Sequence, residues 1–147
     1  MSMEQILEEV RSLEGVLVLA PAAGSSAPEI AWGDYFFYYA PDGEVPANMQ
    51  PFATIVTKNY PGDTQSDLDP DGRWRVNINV GRARLAELTT GGDFAEADVM
   101  RPHPVYAAAG WLAVVVPADR TSATVADLLR SAYDTQRRRV VGRSGDR

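Results

Sequence analysis

One histidine decides most of the acid–base chemistry open to this chain. His103 is the only imidazole among the 147 residues, and a proline stands on either side of it. A histidine can act as a general acid or base when an acidic or hydroxylic side chain lies beside it. Asp34, which follows a predicted turn, is one candidate neighbour, and Tyr60 and Tyr106 are others. The candidate catalytic residues are therefore His103 and Asp34; the alternative is a loop histidine held by hydrogen bonds.

Cationic and amide side chains on two predicted strands could bind a small anion. Lys58, the only lysine, ends the predicted strand 52–58, and polar residues alternate with apolar ones along 73–80. Guanidinium, ammonium and amide groups are donors suited to a carboxylate or phosphate, and consecutive strands are usually neighbours in a sheet. The alternative is a polar face in contact with water. The predicted ligand-binding residues are Lys58, Tyr60, Arg73, Arg75, Asn77 and Tyr106.

Other motifs exclude several common chemistries. The chain has no cysteine, so it has no disulfide, zinc-thiolate or iron–sulfur site. It lacks the glycine-rich signatures of nucleophile elbows, P-loops and dinucleotide-binding folds. The segment 67–72 has the alternate aspartates and glycine of a calcium loop, but Ile78 stands where a bidentate glutamate is needed. We therefore expect an acidic turn, no metal and no cofactor.

Charge is unevenly distributed along the chain. The net charge is −6, yet residues 1–136 hold nine basic against nineteen acidic residues, whereas 137–147 hold five arginines and one aspartate. An acidic surface repels the phosphate backbone, which disfavours nucleic acid as a partner of the main body. The basic end could still meet an acidic partner or nucleic acid, or it could simply complement a helix dipole.

The hydrophobic pattern predicts an α+β fold with helices on one face of a mainly antiparallel sheet. Ser2 and Gln5 have the spacing of a capping box, and the alternation in 73–80 directs Trp74, Val76, Ile78 and Val80 to the core. We predict one domain over 1–136 and a basic, disordered tail over 137–147. The predicted helices are 3–13, 82–89 and 121 to about 139; the predicted strands are 15–20, 52–58, 73–80, 111–116 and a hairpin of 29–32 with 35–39.

Two further features bear on location and association. The longest apolar run is far shorter than the ~20 residues of a membrane span, and the amino terminus lacks the basic start and apolar stretch of a secretory signal. We therefore expect a cytoplasmic protein with no membrane contact.

Aromatic residues at 35–39 put rings on both faces of a strand, which suggests a second covered surface and a homodimer.

Four segments carry a resemblance to a known family. They are AWGDYFFYY (31–39), PFATIVTKNYPG (51–62), RVNINVGRARLAEL (75–88) and HPVYAAAGWLAVVVP (103–117). Together they resemble an actinobacterial-type family, domain of unknown function 6194, which implies no activity.

The second half is more distantly similar to the MmcQ/YjbR family. There a strand like RVNINV leads into a short helix, and a strand opening with a residue like Trp111 precedes a helix that ends in a Ser-x-Tyr element, here Ser131 to Tyr133. This resemblance implies a compact double-wing fold, and some of its members carry a DNA-binding label.

Three functional hypotheses follow. The first is a non-catalytic module that binds a small, anionic ligand or another protein. The second is a small enzyme that acts on an anionic substrate with His103 as acid or base. The third is nucleic-acid association through the arginine-rich end. No convergent set of acid, base and nucleophile can be identified, which favours the first.

Overall fold

The computed structural model describes the secondary structure of residues 1–145 and the burial of the side chains of residues 1–142. It shows an α+β fold. Six strands form one sheet in the order β1-β2-β3-β4-β6-β5, and all neighbouring strands are antiparallel. This confirms the fold class predicted from the sequence. The helices are α1 (Met3–Arg11), α2 (Arg82–Leu88) and α3 (Ser122–Gly145); the strands are β1 (Val16–Leu19), β2 (Tyr35–Tyr39), β3 (Ala53–Val56), β4 (Arg75–Asn79), β5 (Arg101–Pro102) and β6 (Trp111–Val115).

Helices α1 and α3 cover one face of the sheet. The predicted capping box starts α1: the Gln5 amide donates to Ser2 Oγ, and the Ser2 amide donates to the Gln5 side chain. Both helices place their apolar stripes in one core cluster together with side chains from β2, β3, β4 and β6. The buried residues of these two helices in that cluster are Ile6, Leu7, Val10, Val125, Leu128, Leu129, Ala132 and Tyr133.

Strand β4 divides its side chains between the two faces as its alternation predicts. Val76 and Ile78 are fully buried in the core cluster beneath the helices. Because successive side chains of a strand point to opposite faces, Arg75 and Asn77 lie on the other side of the sheet. Strand β3 is the neighbour of β4, as expected, and pairs Thr54 with Asn77. The open face of the sheet is thus polar at its centre.

The predicted hairpin between 29–32 and 35–39 is wrong. Residues Glu29–Ala31 form a 3₁₀ helix. Its hydrogen bonds run from the Ala31 amide to the Pro28 carbonyl and from the Trp32 amide to the Glu29 carbonyl. Strand β2 already has β1 on one side and β3 on the other, so no edge remains for a third partner. The four-residue run 29–32 is too short for its apolar pattern to distinguish a strand from a helical turn.

Helix α3 is longer than the sequence pattern predicts. It continues to Gly145, although the apolar stripe predicts an end near Arg139. A helix gains one backbone hydrogen bond for each residue added, so it can extend beyond the segment that packs on the core. The disorder predicted for 137–147 stays a prediction, and residues 146 and 147 lie outside the described residues.

Candidate functional site

The open face of the sheet forms the floor of a cleft of about 1070 Å³. Strands β2, β3 and β4 supply the floor through side chains such as Tyr38, Thr54 and Asn77. Three loop segments, 48–51, 60–63 and 103–109, contribute residues to the remaining lining. We refer to this space as the open-face cleft.

A buried ion pair lies in the open-face cleft. Arg75, only 1% exposed, donates from Nη1 to Asp63 Oδ1 (3.0 Å) and from Nη2 to Asp63 Oδ2 (2.6 Å). Arg75 also donates to Ser66 Oγ (2.9 Å) and, through Nε, to Asn77 Oδ1 (2.7 Å). Burial alone would raise the pKa of Asp63, but the hydrogen bonds and charge of Arg75 hold that pKa below its ordinary value. The guanidinium is therefore neutralised within the protein.

His103 lies beside this pair and is 4% exposed. Its Nδ1 accepts from the backbone amides of Val105 (3.0 Å) and Tyr106 (3.1 Å), and its Nε2 is 3.1 Å from Arg75 Nη2. Burial and the charge of Arg75 lower the pKa of His103 to about 4, against a smaller opposing effect of Asp63. The imidazole is therefore neutral at physiological pH.

Asp34 belongs to a separate cluster. Its fully buried carboxylate accepts from the Thr57 amide (2.8 Å), the Thr57 hydroxyl (2.6 Å), Lys58 Nζ (2.9 Å) and the Tyr60 hydroxyl. Burial first, and then the bond and charge of Asp34, raise the pKa of Tyr60 well above its ordinary value. Because Tyr60 precedes the turn that carries Asp63, this cluster anchors one wall of the open-face cleft.

Residues 1–145 match a family of unknown function, DUF6194. The chain belongs to this family. No curated protein and no solved structure matches it. The resemblance to the MmcQ/YjbR double-wing fold therefore stays a prediction.

The DUF6194 fold brings together some of the predicted site residues and separates others. Arg75, Asn77, His103, Tyr60 and Tyr106 all line the open-face cleft. Their roles in binding stay predictions.

Two predicted cations lie elsewhere. Lys58 pairs with Asp34, and Arg73 donates to the backbone carbonyls of Ser66, Asp67 and Ala95. Lys58, Arg73 and Arg75 thus each have partners of their own within the protein. They do not converge on a common site for an anion. Asp34 makes no hydrogen bond to His103 among those found in the described residues of this DUF6194 chain. The carboxylate near His103 is instead that of Asp63, whose Oδ2 lies 3.8 Å from Nε2.

Sequence reasoning missed Asp63 and Trp111, which line the DUF6194 cleft, and Ser66, which accepts from Arg75 behind it. Asp63 follows a Pro-Gly turn, and nothing local marks it among nineteen acidic residues of the body. The available signal was Arg75 itself, since an arginine in a buried strand requires a carboxylate partner. Thr54 could have been found from its place on the polar side of β3, opposite Asn77.

The aspartate-rich segment 67–72 organises a loop in the DUF6194 fold. Asp69 accepts from the Asn59 amide at 2.9 Å, and the Asp67 carbonyl accepts from Arg73 Nε at 2.6 Å. Within the described residues, no three histidine, aspartate or glutamate side chains are grouped to hold a metal ion. None of the helices described in this chain combines the length and apolar composition needed to cross a bilayer.

Proposed function

We propose that this chain is a non-catalytic module that binds a small molecule in the open-face cleft. The observation that carries the proposal is that the sheet face without helices holds buried, hydrogen-bonded polar side chains beneath a cleft of about 1070 Å³. Ligand sites usually measure roughly 300–1000 Å³ and place a few polar groups among apolar walls. The open-face cleft is therefore at the upper end of the size that a small ligand fills.

The lining of the open-face cleft has both polar and apolar parts. The polar residues Tyr38, Thr54 and Asn77 line the floor, where Asn77 Nδ2 donates to Thr54 Oγ1 (3.0 Å). Met49 and Val105 are apolar parts of the lining. Val105 and Tyr106 are 46% and 57% exposed, and the Tyr106 ring lies 4.9 Å from that of His103, centroid to centroid. Exposed apolar groups beside a polar interior suit a ligand that is polar at one end and apolar at the other.

The environment of His103 favours binding over acid–base catalysis. Its Nδ1 lone pair is occupied by two backbone amides, so accepting a proton there would cost both hydrogen bonds. Its pKa of about 4 is also far from the value that suits a general base at neutral pH. These observations support a ligand-binding role for the histidine.

The cytoplasmic location and the homodimer belong to this proposal as expectations from the sequence. Strand β1 lies at one edge of the sheet and could pair with a second copy. Sedimentation that shows only monomer at high protein concentration would exclude the homodimer without affecting the ligand site.

A fragment screen tests the proposed function. Fragments added to the ¹⁵N-labelled chain should shift backbone amide signals of the cleft segments 60–63 and 103–109 in a saturable way. Signals of α1, on the other face of the sheet, should stay in place and serve as the internal control. If no fragment gives saturable shifts, or if the shifts cluster on α1 and α3, the proposed site is wrong.

A further inference from the structure

The hydrogen bonds around His103 are mismatched for a neutral imidazole. Its Nδ1 faces two backbone N–H groups, those of Val105 and Tyr106, and its Nε2 faces Arg75 Nη2 at 3.1 Å. A neutral ring has one acceptor nitrogen and one N–H, while a guanidinium can only donate. One ring nitrogen therefore presents its own hydrogen to another donor.

The backbone determines which nitrogen carries the hydrogen. The amides of Val105 and Tyr106 lie 3.0 and 3.1 Å from Nδ1 with N–H groups directed at it, so Nδ1 is the acceptor. The hydrogen then lies on Nε2, an assignment that follows from the hydrogen-bond network. Asp63 Oδ2 is 3.8 Å from Nε2, beyond hydrogen-bond length, and it already accepts from Arg75 at 2.6 Å.

Two N–H groups therefore face each other at the cleft with no acceptor between them in the described part of the chain. They are the Nε2–H of His103 and the N–H of Arg75 Nη2 that is directed at it, and both residues line the cleft while less than one-tenth exposed. Two donors aimed at each other repel, so the site gains free energy when an oxygen atom draws both N–H groups towards itself and accepts from both. A ligand in the cleft can bring that oxygen.

The charge of the site indicates what kind of oxygen this is. Among the described residues that line the cleft, the charged side chains are Arg75 and Asp63, which neutralise each other in a bidentate pair. A carboxylate or phosphate placed at His103 Nε2 would lie beside the Asp63 carboxylate with no unpaired cation to offset it. A neutral carbonyl meets no such repulsion.

We infer that the open-face cleft recognises a neutral ligand through an amide-type carbonyl oxygen that accepts from His103 Nε2–H and Arg75 Nη2–H. This inference rests on the proposed function and names its ligand class, in place of the anionic ligand expected from the sequence. An amide oxygen is a strong acceptor without a full charge, which fits two donors beside a carboxylate. The apolar part of such a ligand would meet Val105 and Tyr106.

Benzamide and benzoate form a matched pair of probes, because they have the same ring and differ in whether the carbonyl group is neutral or charged. As the only histidine, His103 gives one pair of ring ¹⁵N signals whose shifts report the tautomer and the Nε2 hydrogen bond. We expect the Nε2–H tautomer in the free chain. Benzamide should then shift the Nε2 signal saturably and bind at least about tenfold more tightly than benzoate.

Two variants separate the donor from the fold. In His103→Asn the side-chain oxygen can replace Nδ1 as acceptor for the loop amides, but no group replaces the Nε2 donor; benzamide affinity should fall about tenfold while the chain stays folded. His103→Gln keeps a donor near the Nε2 position and should retain more of the affinity.

Each of four results would overturn the inference: an Nδ1–H tautomer in the free chain, benzoate binding as tightly as benzamide, no saturable change at His103 up to the solubility limit of benzamide, or full affinity in His103→Asn. If other fragments still shift the cleft segments saturably, the proposed function stands and only the ligand class is wrong. If no fragment does so, both fail.

Discussion

The two faces of the sheet are built from alternate residues of the same strands, yet they are stabilised in different ways. The helix-covered face is apolar: Val76 and Ile78 pack beneath α1 and α3. The cleft face is polar: Arg75 and Asn77 are buried there in a network with Asp63 and His103. Because strand side chains alternate, one five-residue strand contributes to the core and to the candidate site at once.

This difference predicts different responses to substitution. Apolar packing is non-directional, so the unfolding free energy lost when a side chain is shortened grows with the volume removed. A buried polar network depends on every partner, because a charge that loses its counter-ion remains buried. On the helix-covered face, the loss of unfolding free energy should therefore grow with the volume removed. On the cleft face, the loss should be large whenever one partner of the network is removed.

The largest expected effect breaks the cleft-face network. Arg75→Met leaves Asp63 buried beside the cleft without its partner and should lower the free energy of unfolding by about 3–5 kcal/mol. The double variant Arg75→Met/Asp63→Leu removes both charges and should be more stable than the single variant. Chemical denaturation measures all three chains. A loss below about 1 kcal/mol in Arg75→Met would mean that the ion pair does not stabilise this face.

The next effect compares neighbouring residues on opposite faces. Ile78→Ala opens a cavity under the helices and should cost about 3 kcal/mol of unfolding free energy. Asn79→Ala, one residue along β4 and partly exposed at the cleft, should cost less than about 1 kcal/mol. Urea denaturation of the two variants checks the contrast. Equal losses would show that packing beneath the helices stabilises the fold no more than a partly exposed residue at the cleft does.

A smaller expected effect is a pH dependence of the unfolding free energy that comes from His103 on the cleft face. The pKa of His103 is about 4 in the folded chain against an ordinary value of 6.5, so the unfolded chain binds the proton first as pH falls. The stability that this histidine contributes is complete above about pH 6.5 and is lost as pH falls towards 4. Between pH 7.5 and 4.5 the loss should be roughly 2–3 kcal/mol.

His103→Asn is the matched control for this measurement, because asparagine does not titrate. The wild-type chain should lose more unfolding free energy than the variant over the same pH range, in equilibrium denaturation at each pH. Parallel pH profiles for the two chains would mean that His103 is not held neutral by its surroundings.

The sequence could predict the features that depend on local pattern. The capping box at Ser2, the start of the last helix near residue 121 and the direction of Val76 and Ile78 are each encoded within a few residues. Arg75 and Asn77 were candidates because they alternate with the core residues of β4.

Features that depend on distant loops could not be predicted in the same way. Asp63 meets Arg75 only because a turn folds over the sheet, and the sequence contains many other acids that could have done so. Asp34 was expected beside His103 but accepts from Lys58 instead, since the strand end places that ammonium next to it. The 3₁₀ helix at Glu29–Ala31 was missed because the four-residue run 29–32 gives too little periodicity to distinguish it from a strand.

The most direct test of the ligand-binding account fills the open-face cleft without changing the helix-covered face. Thr54→Phe places a ring on the cleft floor at the centre of β3, while the core neighbours Ala53 and Ile55 stay as they are. The tightest-binding fragment from the screen should lose at least about tenfold in affinity. The free energy of unfolding should fall by about 1–3 kcal/mol, because the buried Asn77 Nδ2 loses Thr54 Oγ1 as its acceptor. Unchanged fragment affinity in a folded Thr54→Phe chain would show that the cleft is not the binding site.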